Sequence, residues 1–217
     1  MGIRKKAKKR GYHYHPFKKE GDRFVNPYHK NQKRRFLDFC LWQLGYYKDK
    51  KEPEIIPEGF SYPNPKKRIK KTSPQVTWIN HCTFLINIDG LYVLTDPIWS
   101  DRCSPVHFLG PKRKHEPSLD FQKLPFIDVV LISHDHYDHL DKKTVKTLNK
   151  RHPGITWIVP LGLRGWFKKL GIAHVVELSW WEESELTVVR NRNLSLKITA
   201  VPSQHFSGRG IFDKNRT

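Results

Sequence analysis

His134-x-His136-x-Asp138-His139 groups four side chains whose shared chemistry is metal binding. In an extended segment, side chains at i, i+2 and i+4 point to one face. His134, His136 and Asp138 therefore converge on one side of the backbone, and His139 joins them as the chain turns into a helix. Three imidazoles and a carboxylate suit zinc or a similar borderline divalent ion. Four donors within six residues, partly facing different ways, suit two adjacent ions better than one. Helix capping would account for one histidine there, but not for three and an aspartate, which are costly to pack without a partner. His13-x-His15 has the same spacing, but it sits in a basic tail with no strand before it and reads as solvated, as does His29. His107, His115, His152 and His174 read as surface or core residues.

The elements around this cluster are legible from periodicity. An apolar run over 126–132, broken only by Asp128, predicts a buried strand ending at Ser133. Asp141 is placed to cap a following helix with Val145 and Leu148 on its inner face, stopped by His152-Pro153-Gly154. Upstream, apolar runs at 75–80, 84–88 and 91–95, with Asp89-Gly90 between the last two, predict a meander ending at Asp96-Pro97. Downstream, 155–159 reads as a strand. Leu163, Trp166, Phe167 and Leu170 follow helical spacing up to Gly171. A strand at 174–178 precedes a hairpin of 186–190 and 194–201 around 191–193, with Leu194, Leu196, Ile198 and Ala200 on one face.

Three stretches together resemble the metallo-β-lactamase superfamily. Ser133-His134-Asp135-His136-Tyr137-Asp138-His139-Leu140-Asp141 is similar to its metal-binding signature, in the wording of the N-acyl-phosphatidylethanolamine phospholipase D-like and ascorbate-6-phosphate lactonase-like branch. Trp78-Ile79-Asn80-His81-Cys82-Thr83-Phe84-Leu85, running to Leu94-Thr95-Asp96-Pro97-Ile98-Trp99-Ser100, resembles that branch's first hairpin, with Asn80 where the family usually has Gly. Pro202-Ser203-Gln204-His205-Phe206-Ser207-Gly208-Arg209, followed by Asp213-Lys214-Asn215-Arg216-Thr217, resembles its third motif. The resemblance covers about residues 74–217.

The resemblance implies an α/β fold, the αββα four-layer sandwich, of which these residues supply the first half and the start of the second. It implies that His134, His136 and His205 hold one zinc ion, that Asp138 and His139 hold a second, and that Asp96 orients the ligand loop. His81 is near the site with no role assigned. The family's complete site holds two zinc ions and uses a bridging Asp and a last His downstream of the third motif. Neither lies in this sequence, so the expectation is a C-terminally truncated chain with one ion or none and weak or absent activity. The implied catalytic agent is hydroxide carried by the metals, attacking a phosphodiester or a lactone. No protein nucleophile is evident, since G-x-S-x-G and a catalytic cysteine motif are both missing. Trp99, Phe108 and Phe206 are candidates to line a substrate pocket.

Charge divides the chain in two. Of 217 residues, 40 are Lys or Arg and 21 are Asp or Glu, a net charge of +19. Residues 1–73 hold 21 of the bases and 7 of the acids, and 74–217 hold 19 and 14. The chain therefore reads as a basic N-terminal extension over 1–73, with one docked helix around 36–44, and a metal-site domain over 74–217. The extension reads first as a solubilising tail, then as a peripheral membrane contact, and last as a nucleic-acid contact, because no nucleic-acid motif sits in it. No run approaches the ~20 apolar residues of a membrane-spanning helix. Three widely spaced cysteines fit a reducing compartment, and the expected location is cytoplasmic. The function expected is a zinc-dependent hydrolase acting on a phospholipid or small-molecule substrate. The alternatives are a nuclease of the same fold, or an inactive remnant that binds membrane or nucleic acid through the basic segment.

Overall fold

The computed structural model describes residues 3–7, 18–25, 41, 74–106, 108–188, 194–203 and 205–209. The helix expected around 36–44 (Leu41 apart), the histidines at 13, 15, 29 and 107, the turn at 191–193 and the tail at 213–217 lie outside them.

The basic segment contributes strand β1 (Ile3–Ala7) and a small hairpin of β2 (Lys18–Glu20) and β3 (Arg23–Val25). The metal-site region then opens with an antiparallel meander of β4 (Gln75–Asn80), β5 (Thr83–Ile88) and β6 (Leu91–Thr95). The turn between β5 and β6 takes φ +52 at Asp89 and +89 at Gly90, the left-handed pair a tight hairpin needs. The Gly90 amide donates to Asn87 Oδ1 at 2.8 Å.

Strands β7 (Val129–Leu131), β8 (Thr156–Pro160) and β9 (Val175–Leu178) extend this sheet in parallel, giving six strands in sequence order. Helix α1 (Lys142–Arg151) connects β7 to β8, and α2 (Arg164–Lys168) connects β8 to β9. Strand β10 (Glu182–Val188) pairs with β11 (Leu194–Thr199) and with β1 to form a second, three-stranded sheet.

The period of two along β7 and β8 sets the layers. Val130, Trp157 and Val159 face a core shared with Val145, Leu148 and Phe167 of the helices. Val129 and Ile158 face a second core with Leu186 and the inner row Leu194, Leu196, Ile198 and Ala200. A sheet covered on both faces requires uninterrupted apolar strands, which explains the runs seen in the sequence. The expected fold class holds: mixed α/β, with a helix layer, a first sheet and the start of a second.

Two boundaries differ from expectation. The strand expected over 126–132 is only three residues long, although the Asp128 backbone still bonds to Tyr92 and Thr156 of the neighbouring strands at 3.0 Å each and its buried carboxylate accepts the Tyr92 amide at 2.9 Å. Strand β10 begins at Glu182, four residues before its apolar pattern starts. Polar cross-strand pairs carry that extension, with Glu183 accepting from Lys197 Nζ at 3.2 Å and Glu185 from Ser195 at 2.9 Å.

Candidate metal centre

Buried strand β7 ends at Leu131, and the residues after it leave the sheet as a loop held at several points. Asp96, at the end of β6, holds its start. Its carboxylate accepts the Ser133 amide at 2.7 Å, the Ser133 hydroxyl at 2.6 Å and His139 Nδ1 at 2.8 Å. Asp96 takes φ +36, a left-handed conformation rare outside glycine. Such positions cost about 1–3 kcal/mol and persist where surrounding contacts over-determine them.

This arrangement assigns tautomers. The Ser133 hydroxyl donates to Asp96, so it accepts the Nδ1 proton of His134 at 2.9 Å. His139 donates its own Nδ1 proton to Asp96. In their neutral forms both rings are thereby left with an Nε2 lone pair facing away from Asp96.

Those lone pairs enter two separate groups. In the first, His134 Nε2 lies 3.1 Å from His136 Nδ1, and His205 Nε2 lies 3.2 Å from the same His136 nitrogen. All three donors fall within 4.8 Å of one another. In the second, His139 Nε2 lies 3.5 Å from Asp138 Oδ2 and 3.3 Å from His81 Nε2. His81 Nε2 lies 3.1 Å from Asp138 Oδ2. Cys82 offers a sulfur within 4.8 Å of the His81 and His139 donors. Two ligands bound tetrahedrally to zinc at 2.0–2.1 Å sit roughly 3.3–3.4 Å apart, so both groups have the size of an ion's coordination shell.

His205 reaches its group from the far side of the chain because its loop is fastened to the metal loop. The buried Asp135 carboxylate accepts the Gly208 amide at 2.9 Å. The Arg209 guanidinium donates to the carbonyls of Asp135 and Leu140, each at 2.7 Å, and stacks 3.9 Å above the Tyr137 ring. On the other side, Asp141 caps α1 by accepting the Lys143 amide at 3.1 Å and also takes the Ser100 amide at 3.1 Å, which fixes the segment after Asp96.

The two groups differ electrically. Burial, and then the neighbouring imidazoles, push His134 down to about 4. Burial and then His205 also lower His136. Both rings are neutral at pH 7 and ready to bind a cation. Burial would lower His139 as well, but the hydrogen bond and charge of Asp96, with Asp138, outweigh it and raise its pKa. Burial, then Asp96 and Asp138, raise the Cys82 thiol.

A cavity of about 320 Å³ opens beside the second group, reaching His81 and Asp138 and bordered by Trp78, Ile98, Lys112 and Lys114. The pocket aromatics named from sequence are elsewhere. Trp99 packs against the core, 5.4 Å from Phe121, with its indole N–H on the Leu119 carbonyl. Phe108 is 70% exposed and does not border the cavity, and Phe206 lies 4.6 Å from His136 on the other group.

All six residues singled out for the site, Asp96, His134, His136, Asp138, His139 and His205, are brought together. Sequence reasoning gave no role to Ser133, Asp135, His81 or Arg209. His81 had a usable signal, since like His205 it follows a strand inside a matched motif. Asp135 had none, because its partner amide is 73 residues away.

Residues 92–217, more than half of the chain, match the family described as the beta-lactamase superfamily domain, and the chain belongs to that family. It is 43% identical over 144 residues to the N-acyl-phosphatidylethanolamine-hydrolyzing phospholipase D 1 of Caenorhabditis elegans, covering 64% of this chain and 40% of that protein. It is 36% identical over 143 residues to the mitochondrial N-acyl-phosphatidylethanolamine-hydrolyzing phospholipase D of Saccharomyces cerevisiae, covering 65% of this chain and 29% of that one. The chain thus spans well under half the length of these relatives. Among solved structures, a metallo hydrolase from Ignicoccus hospitalis aligns over 64% of this chain and 52% of its own, at 19% identity and a TM-score of 0.45.

Proposed function

We propose that these residues form the metal-binding part of a zinc-dependent hydrolase acting on a phosphodiester, with a phospholipid as the substrate class. The observation that carries the reading is the convergence of three histidine donors at 3.1 and 3.2 Å, beside a carboxylate-containing group of the same size. His134, His136 and His205 would hold one ion, and Asp138 and His139 the other. Bound divalent ions supply Lewis acidity, which lowers the pKa of water toward neutrality and offsets charge building on a phosphoryl or carbonyl oxygen.

The chain's own residues do the rest. Asp96 and Ser133 hold two imidazoles in the ligand tautomer. Arg209 and Asp135 keep His205 in place. Lys112 and Lys114 at the cavity edge attract an anionic substrate toward the Asp138 side. The relatives' printed activity supports a phospholipid over a lactone. The basic residues 1–73 would add peripheral contact with an anionic membrane surface on the cytoplasmic side. Among the described residues, no helix is long and apolar enough to cross a membrane.

The test is turnover of N-acyl-phosphatidylethanolamine vesicles, a phosphorylated lactone and RNA under zinc titration. Weak zinc-dependent release of phosphatidic acid, abolished by replacing His134 and His136 with Ala, is the expected result. Cleavage of RNA alone would instead favour a nuclease. Turnover that survives the double replacement would sink the metal-centred reading.

A further inference from the structure

We propose that His81 is a metal ligand, joining Asp138 and His139 as a third donor at the second site. This rests on the metal-centred reading above and goes beyond it, since neither the motif spacing nor the family resemblance gives His81 a role.

Geometry carries the inference. His81 Nε2, His139 Nε2 and Asp138 Oδ2 form a triangle with edges of 3.1, 3.3 and 3.5 Å. Those are the separations of three donors sharing one face of a zinc tetrahedron, roughly 3.3–3.4 Å each. The first group, His134, His136 and His205, shows the same spacing, 3.1 and 3.2 Å about His136. His139 already gives its Nδ1 proton to Asp96, so its Nε2 points a lone pair at His81. One proton, on His81 Nε2, is then shared among two nitrogens and a carboxylate oxygen. A cation at the centre of the triangle satisfies all three donors at once, which a single proton cannot do.

The backbone supports the same reading. His81 holds φ +38 as the first residue of the two-residue turn between β4 and β5, where a tight hairpin takes left-handed backbone. The β4–β5 register shifts between Trp78 and Asn80, immediately before it. The Trp78 indole N–H donates to the His81 carbonyl at 2.9 Å, and the Asn80 amide donates to the Ile98 carbonyl at 2.9 Å. The tip of the hairpin is thus held in a shape that aims the imidazole at Asp138 and His139. His81 and Asp138 also border the 320 Å³ cavity, so the remaining side of the site opens toward the space a substrate would enter.

The test is zinc stoichiometry and stepwise affinity of the metal-depleted full chain, read by elemental analysis after dialysis against buffered free zinc, with cobalt substitution for the visible spectrum. The variants are His81→Asn, His81→Glu, Cys82→Ser and His205→Ala. Asparagine tolerates the left-handed backbone, but its side chain stops short of the Nε2 position and its amide is a poor zinc ligand. The wild-type chain should bind two ions. His81→Asn should weaken one of them by at least ~100-fold, beyond the 10–100-fold typical of a residue that only supports a ligand. The other ion, the one His205→Ala weakens, should be unchanged, which also shows that the fold is intact. His81→Glu, which places a carboxylate donor at about the Nε2 position, should recover the second ion. Weakening by less than ~100-fold in His81→Asn, or loss of the second ion in Cys82→Ser with retention in His81→Asn, would overturn the assignment. One bound ion indifferent to His81 would overturn it while leaving the metal-centred reading standing, whereas a wild-type chain that binds no ion would overturn both.

Discussion

The two donor groups sit side by side and share the Asp96–Ser133 anchor, yet they are built on opposite electrical plans. The first, His134, His136 and His205, is all imidazole, with two rings held neutral by burial and mutual repulsion. The second couples His139 to two carboxylates, Asp96 and Asp138, which raise its proton affinity against the effect of burial. The groups also differ in assembly. His205 comes from 69 residues beyond His136 and depends on a fastened loop, whereas His81 is carried by a hairpin next to the strand that ends at Asp96. One group is therefore vulnerable at its loop and the other at its charges.

The strongest way to break this contrast is to remove what both groups share. Asp96 is 7% exposed and its carboxylate accepts three hydrogen bonds. Asp96→Ala leaves those donors without a partner and should cost about 3–5 kcal/mol of unfolding free energy. It should also weaken zinc binding at both groups, because two tautomers are released together. Urea denaturation and zinc titration measure the two effects. A variant that lost only one ion would mean the groups are independent.

Arg209→Ala should separate them. It removes donors to the Asp135 and Leu140 carbonyls and the contact with Tyr137. The expected cost is about 2 kcal/mol. Freeing the His205 loop should weaken the all-imidazole ion by about 10–100-fold, as for other residues that orient a ligand. The ion at Asp138 and His139 should be unaffected.

The difference between the groups also marks how far the sequence could be read. His134 and His136 were legible because extended backbone puts i and i+2 on one face, but Asp138, expected on that same face, lies in the turn that follows and joins His139 in the other group; the six-stranded sheet was legible because its runs are bounded by turn residues. Asp138 and His139 stood out in the same string. Their partner His81 had only its place after a strand inside a matched motif to mark it, since its convergence depends on a register shift and a left-handed turn residue that leave no period in the sequence. The loop clamp was hidden for another reason: Arg209 and Asp135 act on backbone groups, and a backbone amide or carbonyl has no sequence identity. Strand β10 began too late in the reading because its first turns are held by charged cross-strand pairs rather than by alternating apolar residues.

A proton titration of the metal-free chain sharpens the contrast without mutation. His134, with a folded value of about 4 against an ordinary 6.5, declines protons that the unfolded chain accepts. Its contribution therefore lowers stability as pH falls from about 6.5 toward 4. His139 has the opposite sign. Its raised pKa gives stability that is full below about 6.5 and is lost as pH rises through the folded value. Ring-proton NMR should show His139 titrating above 6.5 and His134 near 4. The same titration predicts that acid displaces zinc first from the His139 group, where protons compete most strongly. Simultaneous release would mean that bound ions erase the electrical difference.

The smallest effect is expected at Asn80, which stands where the family usually carries glycine. Asn80 does not need glycine's freedom, because the left-handed residue is His81 and not Asn80. Its amide donates to the Ile98 carbonyl, but its own carbonyl oxygen, among the described residues, is buried without a hydrogen-bond partner. Asn80→Gly removes one net hydrogen bond, worth about 0.5–1.5 kcal/mol, and with it an unmet acceptor whose burial costs about as much. The added chain entropy of glycine costs a further ~0.5–1 kcal/mol. The sum should leave stability within about 1 kcal/mol of wild type by thermal unfolding. If the hairpin tip is held by Trp78 through the His81 carbonyl, zinc affinity at the second group should hardly change in Asn80→Gly. A large loss there, with stability intact, would instead place the aim of His81 on Asn80 and make the asparagine this chain's own adjustment to the second site.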